Sequence, residues 1–424
     1  MKIEQIEQYI KTHCSADDYS LHINNRESHE TRFAQNGITQ HIAGPEAEIM
    51  LNVSFGTRSG ACMINHVTEA NLDYLIQTAE AIAKMAPEDP EFISSAPAAE
   101  LAKVNNCAEA TLSLSPQAMV DIVQKSIDKA IALNATVSGM CEKHIKKTCL
   151  ITKNGFKGYD KFSRFGHSMT IKKGEVETKV SYEAKDFAPF NLEQEFSRLA
   201  AQAEALSEMK AFDPGKIAVI LRPEALQELL WYLAWGMQRR QADEGLSPFT
   251  GQLDKPCFGE KFNLYSTLKR PEMHAPSFNG EGIPSREITW VESGVLKAMN
   301  CSRYWAKAVG AEPLSMYNFY IPGEDSSEDE MMQLVPRGLI INRFWYIRPV
   351  DMKKGELTGM TRDGVLYFEA GKVRHAVNNL RFNEIPHEMT RRVLALGSNK
   401  LSAPSANLPT MLIDDFNFVD KTSF

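Results

Sequence analysis

Cysteine is scarce in this sequence, and the few cysteines are not arranged as a metal or redox motif. The 424 residues contain seven of them, namely Cys14, Cys62, Cys107, Cys141, Cys149, Cys257 and Cys301. None forms a Cys-x-x-Cys pair, and an odd number cannot all be joined in intramolecular disulfides. We therefore expect reduced thiols and a cytoplasmic protein rather than a disulfide-stabilised one.

Long apolar runs and an excess of positive charge are also missing. No run approaches the roughly 20 apolar residues that a membrane-spanning helix needs. The N-terminal segment contains Glu4 and Glu7 and no continuous apolar core, so we expect neither a secretory signal nor a membrane anchor. The net charge of −7 argues against nucleic acid as a partner, because nucleic-acid-binding proteins usually present a basic face.

The composition is that of a globular protein with more than one core. Hydrophobic residues make up 43% of the chain and charged residues 24%. A chain of 424 residues is longer than one hydrophobic core usually organises, so we expect two domains. The turn-rich segment from Ala211 to Lys216 precedes a strand-like run at 217–221. It predicts an N-terminal domain at 1–212 and a C-terminal domain at 213–424.

The order of the patterns predicts an α+β fold, with an antiparallel sheet and helices in each domain and a β-rich C-terminal domain. Leu72, Leu75 and Ala79 follow the helical period, whereas residues 136–187 show a strand pattern. Asn36-Gly37 marks a hairpin turn in the N-terminal half. Regular crossover helices do not separate the strands, so a doubly wound parallel sheet is not expected.

The segment from Gly338 to Glu384 predicts consecutive β-hairpins. Three apolar, β-branched and aromatic runs are separated by Lys354-Gly355, Asp363-Gly364 and Ala370-Gly371. Asp-Gly is a preferred pair for a tight turn because both positions tolerate a positive φ.

Arginines recur among the aromatic residues of this segment, which is unusual for a plain core meander. Strand alternation places Arg343, Trp345 and Ile347 on one face and the intervening residues on the other. Arg343 and Arg362 are either paired arginines of the core or groups that grip a peptide carboxylate. We take Arg343, Trp345 and Arg362 as candidate peptide-binding residues.

Several short segments along the chain serve as landmarks for comparison with known families. They are Arg32-Phe33-Ala34, 86–90, 213–221, 280–286, 292–297, 303–307 with Gly310, Asn318, 321–323 and the C-terminal strand segment. In this order and spacing they resemble the TldD/PmbA family of metallopeptidases, also called modulators of DNA gyrase.

The resemblance implies a zinc motif on the helix that begins near Pro223, and the motif is absent. Catalytic members carry His-Glu-x-x-x-His after a Leu-Leu pair, with two imidazoles on zinc and the glutamate polarising water. After Leu229-Leu230, the three positions are Trp231, Tyr232 and Gly236. An indole, a phenol and a hydrogen atom cannot replace two imidazoles and a carboxylate. The family's further thiolate ligand near the C-terminus is also missing, since the last cysteine is Cys301.

Trp231 and Trp235 lie on one helical face, and two interpretations of them remain. In the first, they fill the volume vacated by zinc and its ligands, so that Trp235→Ala strongly lowers the melting temperature. In the second, they form an aromatic wall that contacts a peptide or a partner subunit.

The resemblance implies a zinc-free TldE/PmbA-like subunit of a peptidase system, with no cofactor of its own. Such a subunit completes a chamber for unfolded or small peptides, and zinc resides only in a TldD-like partner. We expect a homodimer or a heterodimer with that partner. The alternatives are an active metallopeptidase with unconventional ligands, such as a carboxylate and His274, and a homodimeric peptide-binding protein without catalysis.

Overall fold

The computed structural model describes residues 1–207 and 209–422, which form two β-sheets with helices packed against them. The predicted α+β class is confirmed. Among these residues no helix is both long and apolar enough to cross a membrane.

The first sheet has six strands, all paired antiparallel in the order β3-β2-β1-β4-β5-β6. The strands are β1 (Asp18–Ala34), β2 (Gly37–Phe55), β3 (Arg58–Ile64), β4 (Thr136–Thr152), β5 (Lys157–Lys173) and β6 (Val176–Ala184). The accompanying helices are α1 (Ile3–His13), α2 (Glu69–Met85), α3 (Glu109–Ser113), α4 (Pro116–Ala132) and α5 (Leu192–Leu206).

Side-chain caps and apolar stripes explain where these helices begin and what they bury. The Thr68 hydroxyl accepts a hydrogen bond from the backbone N–H of Asn71 at the start of α2, and Ser115 does the same for Ala118 at the start of α4. Leu72 and Leu75 are then fully buried in the core between α2 and the sheet. The first hairpin turns at Gln35-Asn36, both with positive φ, one residue before the predicted Asn36-Gly37.

The second sheet has eleven strands and is mixed. The strands are β7 (Lys216–Leu221), β8 (Leu264–Ser266), β9 (Ile288–Glu292), β10 (Val295–Leu296), β11 (Phe319–Tyr320), β12 (Arg337–Asp351), β13 (Glu356–Glu369), β14 (Lys372–Val377), β15 (Leu380–Glu384), β16 (Val393–Ala403) and β17 (Ala406–Lys421). The helices are α6 (Pro223–Gly236), α7 (Arg239–Asp243), α8 (Arg303–Val309), α9 (Glu328–Gln333) and α10 (Pro386–Met389).

Two strand pairs of this sheet are parallel, which differs from the predicted antiparallel arrangement. They are β7 with β12 and β11 with β17, and long segments that include helices connect both pairs. Such connections permit a parallel return, whereas tight turns enforce antiparallel neighbours. The predicted boundary after residue 212 falls between α5 and β7, and the division into 1–212 and 213–424 stays a prediction.

Asp363-Gly364 is a β-bulge inside β13, so the predicted hairpin turn at this dipeptide is wrong. Arg362 pairs with Arg343 and Val365 pairs with Ile341, which leaves two residues of β13 opposite the single Asn342 of β12. Asp363 and Gly364 have φ values of 62° and 99°, the region an Asp-Gly pair enters readily. The preference of Asp-Gly for positive φ therefore produces a bulge here and not a hairpin turn, because the residues before and after the pair both lie opposite β12.

Candidate functional site

Helix α6 crosses the second sheet and displays the residues at the family's zinc-motif positions. The stripe from Leu226 to Met237 that the helical period predicts is buried against the sheet. Before the helix, the Arg222 guanidinium donates to both carboxylate oxygens of Glu328, at 2.8 Å each, and to the side-chain oxygen of Asn342 at 2.6 Å. These contacts hold the beginning of α6 to α9 and β12.

Trp231 and Trp235 point away from the core, so the prediction that they fill buried volume is wrong for this chain. Each side chain is 52% exposed. The helical period accounts for this, because the stripe of leucines that faces the sheet leaves positions 231 and 235 on the outer side. Trp231 retains an edge contact with Phe319, with ring centroids 4.8 Å apart.

Other side chains close the space around the last motif position. The Tyr232 hydroxyl donates to the backbone carbonyl of Ile347 at 2.7 Å. A Cβ added at Gly236 would lie 3.7 Å from both Pro248 and Phe249. The cavity that remains beside Tyr232, Gly236 and these two residues measures about 30 Å³, which is close to the volume of one water molecule.

The residues at these positions do not fit a zinc ion. Trp231 and Gly236 offer no lone pair, and the Tyr232 hydroxyl already donates to a carbonyl. Zinc in proteins is held by cysteine, histidine and carboxylate side chains, and none of these stands at the three positions.

One group of three metal-ligand side chains occurs among residues 1–207 and 209–422, in the first sheet. Its members are Glu30, Glu142 and His144. Arg164 binds Glu142 at 2.8 Å, and an Arg26 nitrogen lies 2.9 Å from Nδ1 of His144. Because guanidinium groups already contact this cluster, a divalent cation would meet positive charge there. We assign no metal to it.

His274, the histidine of the rival metallopeptidase hypothesis, does not belong to that group. Its Nε2 donates to the backbone carbonyl of Ser163 at 2.9 Å, and its ring packs edge-on against Phe162. Burial lowers the pKa of His274 to about 4, so the imidazole is neutral at pH 7. Among the described residues, His274 therefore contacts strand β5 through this hydrogen bond and ring contact, and it belongs to no group of metal-ligand side chains.

The three candidate peptide-binding residues come together on neighbouring strands. Arg343 lies opposite Arg362 in the β12–β13 register, and the Arg362 guanidinium carbon is 4.2 Å from the ring centroid of Trp345. The Arg343 Nε donates to the carboxylate of Asp363, which the bulge places beside it. Trp345 is 43% exposed, so the cation–aromatic pair faces outward. We call Arg343, Trp345 and Arg362 the strand cluster.

A second bulge changes the predicted faces of β12. Tyr346 has a φ of 56°, and the pairing register shifts between Trp345 and Arg348. Consequently Trp345 and Tyr346 are both exposed, and Ile347 is buried in the same core cluster as Phe344. The prediction that Ile347 shares a face with Arg343 and Trp345 is therefore wrong, because simple alternation does not continue through an inserted residue.

Glu228 is a polar residue of this site that the sequence reasoning missed. Its Oε2 accepts a hydrogen bond from the backbone N–H of Phe344 at 2.8 Å. Burial is the main cause that raises the pKa of Glu228 to about 8, while the positive charge of Arg343 opposes the increase. Its position directly before Leu229, beside the apolar stripe, was the only signal in the sequence.

The comparisons with known proteins agree with the sequence landmarks and the fold. The family model of the PmbA/TldA metallopeptidase C-terminal domain matches residues 214–420. A zinc metalloprotease TldD homologue from Saccharolobus solfataricus is 25% identical over 175 residues, which covers 36% of this chain and 38% of the relative. The match thus spans about two-fifths of that relative's length.

Solved structures of similar fold extend the comparison to nearly the whole chain. TldE from Thermococcus kodakarensis has a TM-score of 0.87 at 16% identity and covers 98% of both chains. A candidate modulator of DNA gyrase from Thermotoga maritima has a TM-score of 0.84 at 16% identity and covers 98% of this chain and 99% of its own. The structural likeness concerns the fold, whereas the family-model match shows that residues 214–420 of this chain are a C-terminal domain of the PmbA/TldA metallopeptidase family.

Proposed function

We propose that this chain is a zinc-free, TldE-like subunit of a TldD/PmbA-type peptidase system. One observation carries the proposal: α6 has the family's helix and leucine pair but presents Trp231, Tyr232 and Gly236 where two histidines and a glutamate would act. The subunit binds peptide and associates with a partner, while zinc chemistry belongs to a TldD-like subunit. Its cytoplasmic location is part of the proposal, and the seven unpaired cysteines support it.

The outer face of α6 is the proposed association surface. Trp231 and Trp235 line an open depression of about 480 Å³ together with Met316 and Phe319. Tryptophan is enriched among the residues that dominate protein–protein binding energy. Two exposed indoles one helical turn apart can pack against the same surface of a partner. The partner is either a second copy of this chain or a zinc-bearing homologue.

The homodimeric, non-catalytic peptide-binding protein remains the second candidate function. The same exposed indoles would serve both assemblies. Capture of this chain by a purified zinc-bearing homologue supports the first candidate, whereas a self-association that excludes the homologue supports the second.

We expect the purified chain to hold far less than one zinc ion per chain and to cleave no peptide alone. The physical reason is that the motif positions supply neither ligands nor a general base. Elemental analysis after purification from cells that lack zinc-bearing homologues measures the first quantity, and cleavage of a peptide mixture with and without chelator measures the second. About one tightly held zinc per chain, or chelator-sensitive cleavage, would refute the zinc-free assignment.

We also expect the strand cluster to contribute to peptide affinity. Trp345→Ala and Arg362→Lys each remove the guanidinium–indole contact, and each should weaken binding of an extended peptide by roughly tenfold. Fluorescence titration of a labelled peptide measures the affinity, and sedimentation checks that the dimer persists. Arg374→Lys is the matched control, because Arg374 is a strand arginine that contacts a backbone carbonyl of Glu369 outside the cluster. If all three variants bind the labelled peptide with the affinity of the parent, the strand cluster does not contribute to peptide binding.

A further inference from the structure

A charged cavity lies where the first sheet and α5 meet the second sheet. It measures about 380 Å³ and is bounded by β6, α5, the start of α6 and strands β12, β13, β16 and β17. The Asp363 bulge contributes to its wall, and the bulge's backbone carbonyl accepts a hydrogen bond from Thr178 of β6 at 2.9 Å. We call this space the inter-sheet cavity.

Positive side chains outnumber carboxylates in its lining. Five cationic and three acidic groups line it, namely Lys179, Arg198, Arg222, Arg343 and Lys400 with Glu224, Glu328 and Asp363. Each carboxylate already binds at least one cation: Arg222 on Glu328 at 2.8 Å, Lys400 on Glu224 at 3.1 Å, and Arg343 on Asp363. Arg198 pairs with Glu195, which does not line the cavity, at 2.9 Å and lies 3.7 Å from the carboxylate of Glu224. Within residues 1–207 and 209–422, Lys179 has no carboxylate within ion-pair distance.

Two buried polar atoms on the α5 wall also lack hydrogen bonds. Gln202 is only 8% exposed, and its side-chain oxygen has no partner among the described residues. One turn earlier on α5, the Nε of Arg198 is likewise without an acceptor. A buried donor or acceptor without a partner is unfavourable, so an occupant that supplies both kinds of group would be favoured.

We propose that the inter-sheet cavity binds the C-terminal carboxylate of a short peptide. The carboxylate accepts from Lys179, Arg198 and Arg343, and the last peptide N–H donates to the Gln202 oxygen. Its volume of about 380 Å³ is at the small end of ligand pockets and suits a terminal dipeptide rather than a longer segment. Inorganic phosphate would also meet the positive charge, and its protonated forms at pH 7 carry an O–H donor, so phosphate is the competing ligand in the test below.

The inter-sheet cavity adjoins the strand cluster through a shared residue. Arg343 lines the cavity and pairs in register with Arg362, whose guanidinium covers Trp345. A peptide lying along the strand cluster can therefore place its end in the cavity. The inference deepens the proposed peptide-binding function and rests on it for the identity of the ligand.

Calorimetric titration at pH 7 with N-acetyl-dialanine, its C-terminal amide and inorganic phosphate tests the inference. We expect the free acid to bind and the amide to bind at least about tenfold more weakly, since the charge-assisted hydrogen bonds are lost. Lys179→Met should weaken the free acid about tenfold, and Lys179→Arg should restore most of the affinity. Lys172→Met, on the exposed end of β5, is the matched control and should change nothing.

A ten-residue peptide with an amidated C-terminus separates this inference from the proposed function. If that peptide binds while the two dipeptides bind equally or not at all, the cavity assignment is overturned and peptide binding by the chain stands. If the free-acid dipeptide binds selectively and the longer amide does not, the cavity assignment stands and the strand cluster loses its role. Binding of phosphate in preference to the free acid would also overturn it.

Discussion

Replacing Trp231 and Trp235 together by alanine should weaken association of this chain with its partner by roughly a hundred- to a thousandfold. Indoles at the centre of an interface commonly contribute about 2 kcal/mol or more each, although such contributions do not add strictly. Both side chains are 52% exposed, so their removal should change the chain's own melting temperature little. Sedimentation with the chain itself and with a zinc-bearing homologue measures the association.

Two control variants define what this result means. Tyr74→Ala removes an exposed aromatic residue from α2, outside the proposed surface, and should leave association unchanged. Trp290→Ala removes a fully buried indole whose Nε1 donates to the Ser266 hydroxyl at 2.9 Å, and should destabilise the fold by about 3–5 kcal/mol. If the double variant loses as much stability as Trp290→Ala but associates like the parent, the two α6 tryptophans serve packing and not association. If the parent chain sediments as a monomer at micromolar concentration and does not bind the zinc-bearing homologue, the association proposal is wrong.

Glu228→Gln should stabilise the chain at alkaline pH and have little effect at acidic pH. The pKa of Glu228 is raised from its ordinary value of 4.5 to about 8 in the folded chain, mainly by burial. Between these values the folded state holds a proton that the unfolded state has released. Unfolding therefore releases a proton in this window, and the free energy of unfolding falls as pH rises from about 4.5 to about 8.

The size of the effect follows from the width of that pH window. A shift from 4.5 to about 8 corresponds to a loss on the order of 5 kcal/mol on going from acidic to alkaline pH. Glutamine keeps an oxygen that can accept from the Phe344 N–H but cannot ionise. The charged groups that act on Glu228 are Arg343, Asp363 and Glu224, and they remain in the variant.

Denaturant unfolding at pH 5, 7 and 9 measures the difference between Glu228→Gln and the parent. We expect the two proteins to be equally stable at pH 5 and the variant to be more stable at pH 9. Glu100→Gln, at an exposed position, should leave the parent's pH profile unchanged. A difference of constant size at all three pH values would show that the substitution acts through packing and not through the ionisation of Glu228.

Much of the local structure was predictable from short-range preferences. The helical period located the buried stripe of α6, Ser115-Pro116 fixed the start of α4, and Ala370-Gly371 forms the predicted tight turn, with φ values of 50° and 71°. The absence of the zinc motif needed only residue identities at Trp231, Tyr232 and Gly236. These features depend on side chains and dihedral angles within a few residues of each other, so the sequence is sufficient to determine them.

The remaining features depended on which distant segments pair. Asp363-Gly364 has the same backbone preference as a turn, and only its pairing on both sides with β12 makes it a bulge. The outward direction of Trp235 follows from which face of α6 the second sheet covers, and the high pKa of Glu228 follows from burial against β12. The sequence by itself therefore determined the elements and the missing zinc ligands. Tertiary structure alone decided exposure, register and ionisation, because those depend on what each surface packs against.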